Sequence, residues 1–258
     1  MDLAITIRRG DSVRRYEHTL PHRFEDLTRR QADRIVPLVL LGDSQRTRAR
    51  ILLQLLPPKL AAQLDEETVT SLTDELDWLF EPTMLTLPHR KIRVLPFRKF
   101  ENCGPKLQMM TCREWYKAVE LFEKIIEGNE GATHQLMACV YRPVKCGIRV
   151  CLTSQKQLKS DARQLRLIPK SIVAQTLLYF QHCQIYVQRM GEGAGIFGNS
   201  EENPERKQMP FGWYSTFQMV AETGVFGSLE QIMDRTTFWE IFSYLVTKQA
   251  QQPSKLNK

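Results

Sequence analysis

The spacing of apolar residues changes period several times along this chain, and each change marks an element boundary. In 2–8, Leu3, Ile5 and Ile7 alternate with Ala4, Thr6 and Arg8, the period of a strand with one covered face. Gly10-Asp11 supplies a turn before a second extended stretch at 13–20. The pattern predicts an N-terminal β-hairpin, which needs something to lie on because an isolated hairpin is marginal. After Pro21 the period becomes helical. Thr28 and Gln31 have capping-box spacing, and Ala32, Ile35, Val36 and Val39 form an apolar stripe that Pro37 kinks or ends. Further helices are predicted at about 47–56, closed by Pro57-Pro58, and at 66–80, where Val69, Leu72, Leu76 and Leu79 recur at helical spacing.

The stretch 81–100 alternates apolar and polar residues between prolines and reads as extended connection or edge strands. Thr111 and Glu114 form a second capping box, opening a helix to Ile126 with Trp115, Ala118, Val119 and Phe122 on one stripe. A helix at about 132–141 and a basic, cysteine-containing loop from 142 to about 160 follow. The strongest helix is 169–190, with Pro169 in its first turn and Gly191 at its end; it is apolar around much of its circumference and predicted to be central. A glycine-rich, charged segment, 191–209, reads as a loop or linker. Two aromatic-rich helices are expected across 212–246 around a break at 224–227, then a polar, frayed tail. The expected fold is mainly α, a helical bundle-like core with a small N-terminal β element. The expected divisions are 1–100, 101–250 and a tail at 251–258.

Composition narrows this picture. With 258 residues, 42% hydrophobic and 25% charged, the chain has the balance of a globular protein. It has no apolar run of about 18 residues, so no membrane span is expected. The opening MDLAITIRR lacks the basic-then-apolar order of a secretory signal, so a cytoplasmic location is the expectation. Six cysteines are present, but His134, Cys139, Cys146 and Cys151 do not follow structural zinc spacings. Reduced, mostly buried thiols and no metal are expected. The formal charge is +7, with arginines crowding the first fifty residues. A solvated basic face is the plainer explanation. The alternative is a nucleic-acid-binding module using Arg46, Arg48 and Arg50.

Candidate chemistry is sparse. GEGAGIFG at 191–198 follows a helix instead of joining a strand to one, and it lacks the ending of a phosphate loop. The five histidines are scattered, and neither Cys112 nor Cys183 has a histidine at a telling spacing. Asp74, Glu75, Asp77 and Glu81 near Trp78 read as a solvated helix face. The chain is therefore expected to be non-enzymatic and to need no cofactor. Trp213, Tyr214, Phe217, Phe238, Trp239 and Phe242 form an aromatic stripe that suits a helix-pair core, a protein-binding surface, or both.

Three phrases carry a family resemblance: LPHRFEDLTRRQ at 20–31, HQLMACVYRP at 134–143 and GWYSTFQMVAETGVFGSLEQI at 212–232. Together they resemble prophage-associated proteins of Bacteroidetes-like bacteria, and the last also resembles tailed-phage tail assembly chaperones. The matching positions are Leu20, Pro21, Phe24, Leu27, Thr28 and Gln31, then Tyr141, Arg142 and Pro143, then Gly212, Trp213, Tyr214, Phe226 and Gly227. Phe24 stands where Trp is commoner. The resemblance implies a helical, non-enzymatic protein, cytoplasmic or virion-associated, that binds another phage structural protein such as the tape-measure protein.

Overall fold

The computed structural model describes residues 2–9, 12–87, 89–95, 98–197 and 212–251. The fold is mainly α, and its contacts divide the chain into two units. The first comprises Met1–Pro88 and Pro169–His182, the second His89–Ile168 and Cys183–Lys258. The dividing point thus lies before residue 100, and one long helix contributes residues to both. Among the described residues, no helix is long and apolar enough to cross a membrane.

In the first unit, β1 (Asp2–Arg9) pairs antiparallel with β2 (Ser12–Thr19), from Asp2↔Thr19 to Arg9↔Ser12. The expected turn residues, Gly10 and Asp11, lie outside the described residues. The hairpin lies on the helices: Tyr16 donates from its hydroxyl to Gln63 Oε1 at 3.0 Å, and His18 Nε2 meets Leu55 O at 3.2 Å. Helix α1 (Arg29–Val39) opens on the Thr28/Gln31 capping box and runs through Pro37, which does not end it. Helix α2 (Gln45–Leu55) starts at Ser44, which accepts from Thr47 N–H. A single turn, α3 (Pro58–Ala61), and α4 (Glu66–Leu72) follow.

The helix expected over 66–80 does not continue unbroken. From Thr73 to Leu79 it tightens to 3-10 geometry. The Thr73 carbonyl accepts from Arg48 Nη1 at 3.3 Å, and its hydroxyl accepts from Gln45 Nε2 at 3.0 Å. Tertiary partners thus hold this point of the backbone. The unit's core joins Ile35 and Val36, Ile51 and Leu52, and Leu76 and Leu79 with Tyr179 and Phe180 of the 170–182 segment, all buried.

His182 closes this core. It is 4% exposed, its ring lies 5.9 Å from that of Phe24, and its Nδ1 accepts the Met84 N–H at 3.0 Å. Burial holds its pKa down to about 4, against 6.5 for the free side chain. The unfolded chain therefore takes up a proton at a pH where the folded chain refuses it. Stability should be full above pH 6.5 and fall as the pH drops toward about 4, by roughly 2–3 kcal/mol. Urea unfolding at neutral and acid pH measures this. His182→Asn, which can still accept the Met84 N–H, should flatten the dependence in that window.

In the second unit, β3 (Lys91–Leu95), β4 (Arg98–Asn102), β5 (Tyr141–Lys145) and β6 (Ile148–Arg149) form one antiparallel sheet in chain order. Strands at 91–102 fit the extended pattern. Strands at 141–149 correct the loop expected from 142. Helix α6 (Thr133–Val140) passes into β5 without a spacer. Cys146 and Gly147, at φ 50° and 81°, then form a two-residue hairpin loop of the type that needs positive φ at both positions.

The rest of that expected loop holds a helix, α7 (Gln155–Leu165), capped by Ser154. It packs on α6, which packs on α5 (Cys112–Ile126), opened by the Thr111/Glu114 capping box. Helix α8 (Lys170–Gly193) outlasts the expected end near 190. Ile196 and Phe197 then donate back to Gly191 O, and a side chain at Gly191 would strike the Phe197 ring. Residues 198–211, most of the expected linker, and 252–258 of the expected frayed tail lie outside the described residues.

The aromatic-rich pair is instead three helices: α9 (Gly212–Glu222), α10 (Leu229–Arg235) and α11 (Phe238–Gln251). Gly227, at φ +85°, and a Ser228/Gln231 capping box set the first break. The second falls at Thr236–Thr237. There Cys112 N–H donates to Thr236 O at 3.1 Å and Phe238 N–H donates to Met110 O at 2.8 Å, so the backbone is drawn out toward the start of α5.

Candidate protein-binding surface

Five of the six aromatic candidates, all but Tyr214, come together in the second unit around another ring, Trp115 of α5. Phe238 stacks on Trp115 with centroids 4.0 Å apart, and Trp213 meets Phe238 edge-on at 4.9 Å. Phe242 lies 5.7 Å from Phe238, Trp239 lies 5.4 Å from Phe242, and Phe217 lies 6.0 Å from Trp213. Phe217, Phe238 and Phe242 are fully buried, which corrects their candidacy as contacts. The stripe they form faces α5, so their surface is already spent inside the unit. Trp213 and Trp239 are half-buried, and Trp239 Nε1 donates to Lys106 O.

Tyr214 is the candidate that reaches solvent, at 45% exposure, with its ring 5.8 Å from that of Tyr116. Met219 on the same helix is 50% exposed, and Val225 in the turn after it is 59% exposed. Neither was singled out by the aromatic stripe. Helical spacing carries the signal for Met219: Thr216, Phe217 and Val220 define the inward face of α9, and Met219 falls off it.

The three arginines proposed for nucleic acid do not act together. Arg48 is 15% exposed at its side chain, bonded to Asp43 at 2.6 Å and to Asp77, with its guanidinium 5.1 Å from the Phe80 ring centroid. Those carboxylates hold its pKa above the ordinary arginine value. Its charge is neutralised within the unit. Arg46 and Arg50 are exposed on the other side of α2. The acidic face separates likewise: Asp77 pairs with Arg48, while Asp74, Glu75 and Glu81 face solvent.

The ionisable groups that converge are not among the site candidates read from the sequence, where Glu114 stands as a capping residue and Arg142 as a resemblance position. Glu114 on α5, Arg142 on β5, Arg149 on β6 and Asp161 on α7 are all buried. Glu114 Oε2 accepts from Arg149 Nη2 at 3.0 Å and from Thr111 N–H at 3.1 Å, while Oε1 accepts from Leu152 N–H at 2.9 Å. Arg142 Nε lies 3.5 Å from Glu114 Oε1, and its Nη1 lies 3.1 Å from Asp161 Oδ2. Arg142 also donates to Val150 O and Ala138 O, and Arg149 to Met109 O. Burial pushes the Asp161 carboxyl up against the opposing pull of Arg142. Two cations against two carboxylates balance, and the contacts tie four elements of the unit together.

All six cysteines are free thiols; Cys103, Cys112, Cys139 and Cys183 are buried and Cys146 is exposed. Burial pushes the Cys112 thiol up to about 12 and raises those of Cys139 and Cys151, the opposite of an activated nucleophile. Among the described residues, no three His, Cys, Asp or Glu side chains are grouped to hold a metal ion.

The resemblance positions are mostly structural here. Leu20, Phe24, Leu27, Tyr141 and Arg142 are buried, Thr28 and Gln31 form a cap, and Gly227 occupies a positive-φ turn. No protein-family model, curated protein or solved structure matches the chain.

Proposed function

We propose that this chain is a non-enzymatic, phage-derived assembly or virion-associated protein, similar to tail assembly chaperones, that binds another phage structural protein through apolar helix surface. The observation that carries this reading is the outward surface of α9 and its following turn. Tyr214 and Met219 on the helix and Val225 in the turn are each about half exposed, while the helix's other face is fixed by the Trp115–Phe238 cluster. A tyrosine on a rigid element is a favoured interface anchor, because little conformational freedom is lost when it is covered. The three resemblance phrases supply the phage context, and a tail component such as the tape-measure protein is the partner in this reading. Location in the cytoplasm, or in the virion after assembly, belongs to the same proposal.

The converging charges support it from the other side. Glu114, Arg142, Arg149 and Asp161 pair with one another inside the unit and balance in charge, which suits a structural duty. The test is photo-crosslinking from position 214 in a phage-producing lysate, with adducts identified by mass spectrometry. A tail or virion protein should be recovered, and Met219→Ser with Val225→Ser should reduce its yield several-fold while leaving the circular dichroism unchanged. Recovery of no tail or virion protein would sink the proposal.

A further inference from the structure

The first unit carries a second surface, independent of the proposed tail function. Arg30 and Arg34 lie four residues apart on α1, and Arg46 and Arg50 lie four apart on α2. All four are exposed, and among the described residues none has a carboxylate within ion-pair distance. Like charges at this spacing repel along a helix, so each pair carries a small cost that a counter-charge would remove. Between the two helices lies an open depression of about 380 Å³ lined by Arg34, Leu38, Arg50, Leu53 and Gln54. Leu53 is 41% exposed. An apolar floor between cationic walls favours a protein segment with acids flanking apolar residues over a phosphate backbone alone.

The same unit presents such a segment. Helix α4 has no buried residue, although a seven-residue helix gains little from its own hydrogen bonds. Glu66 and Glu67 are exposed in its first turn, Val69 and Leu72 are half-buried, and Asp74 and Glu75 are exposed just beyond it. The Arg48–Asp77 and Gln45–Thr73 contacts hold the 73–77 stretch against one side of α2. Helical spacing puts Arg46, Arg50 and Leu53 on the opposite side from Arg48, Leu52 and Leu55. A molecule therefore cannot fill its own depression with its own acidic segment.

We infer that the α1–α2 surface of one molecule receives the acidic α4 segment of a second copy of this chain. The contact is heterologous, one surface meeting a different one, so it builds head-to-tail oligomers. Opposite charges steer the encounter, and the leucine floor covers Val69 and Leu72.

Sedimentation of the full chain tests this. Wild-type protein should self-associate in low salt, and the association should weaken by more than about tenfold between roughly 0.05 and 0.5 M salt. Arg34→Glu with Arg50→Glu, and separately Glu66→Lys with Glu67→Lys, should each lose association by at least about tenfold, while an equimolar mixture of the two variants regains it. Circular dichroism verifies that both fold, and the milder Arg34→Gln with Arg50→Gln should show an intermediate loss. A wild-type chain that stays monomeric in low salt would overturn the inference, as would a mixture that fails to recover. Binding of duplex DNA by a monomeric wild type, lost in the arginine variants, would instead assign the surface to nucleic acid.

Discussion

Replacing Glu114 with Gln is expected to destabilise the second unit by about 3–5 kcal/mol, although the side chain barely changes shape. Every group that meets the Glu114 carboxylate is a donor: Leu152 N–H at Oε1, and Thr111 N–H with Arg149 Nη2 at Oε2. An amide presents one oxygen and one NH₂, so either orientation sets a donor against a donor. The substitution also leaves Arg142 and Arg149 buried with Asp161 as the remaining carboxylate in contact. The cost comes from the stranded guanidinium groups more than from lost attraction, because the desolvation of a buried charge is large whenever its partner is removed. Glu123→Gln, on the same helix but exposed, should change stability by less than about 0.5 kcal/mol. Denaturant unfolding followed by tryptophan fluorescence measures both. A loss below about 1 kcal/mol for Glu114→Gln would mean that the network does not hold the sheet to the helices.

Glu114 also shows where sequence and structure part. Its capping-box duty was legible because Thr111 stands three residues away, and local spacing is what a sequence displays. Its second duty was hidden, because Arg149 is thirty-five residues on and reaches it only when the sheet and helices close. Charged residues read as surface unless a partner is visible, so the burial and mutual pairing of these four does not show in the sequence. The same division runs through the backbone. The N-terminal hairpin, both early capping boxes and the long helix near 170–190 follow from local period and punctuation. Strand β5 does not, since Val140 leads into Tyr141 with no turn residue and the hairpin loop carries Cys146 where Asn or Asp is usual. Helix α7 shows only Leu158, Ala162 and Leu165 as an apolar stripe among polar neighbours, too sparse to stand out. In the candidate surface, the aromatic stripe was visible. Which rings it spent inward depended on Trp115, a hundred residues earlier in the chain.

Truncating Phe238 to Ala should cost about 3–5 kcal/mol and, unlike Glu114→Gln, should do so by emptying space. Its ring stacks on Trp115, takes the edge of Trp213 and adjoins Trp239 and Phe242, so removal leaves a void among four other aromatic or indole rings. Large flat side chains in fixed rotamers cannot close such a void without shifting helix axes. The backbone resists that shift, because Phe238 N–H is tied to Met110 O and Thr237 pairs with Thr111 at the start of α5. Phe238→Leu, which keeps most of the volume, should cost roughly half as much, as expected for a packing effect. Tyr214→Ala provides the contrast on which the proposed function depends. Half exposed and outside the Phe238 cluster, it should change the unfolding midpoint by little while lowering recovery of the tail partner. A Tyr214→Ala variant that unfolds as readily as Phe238→Ala would place that ring in the core, and the outward surface of α9 would lose its anchor.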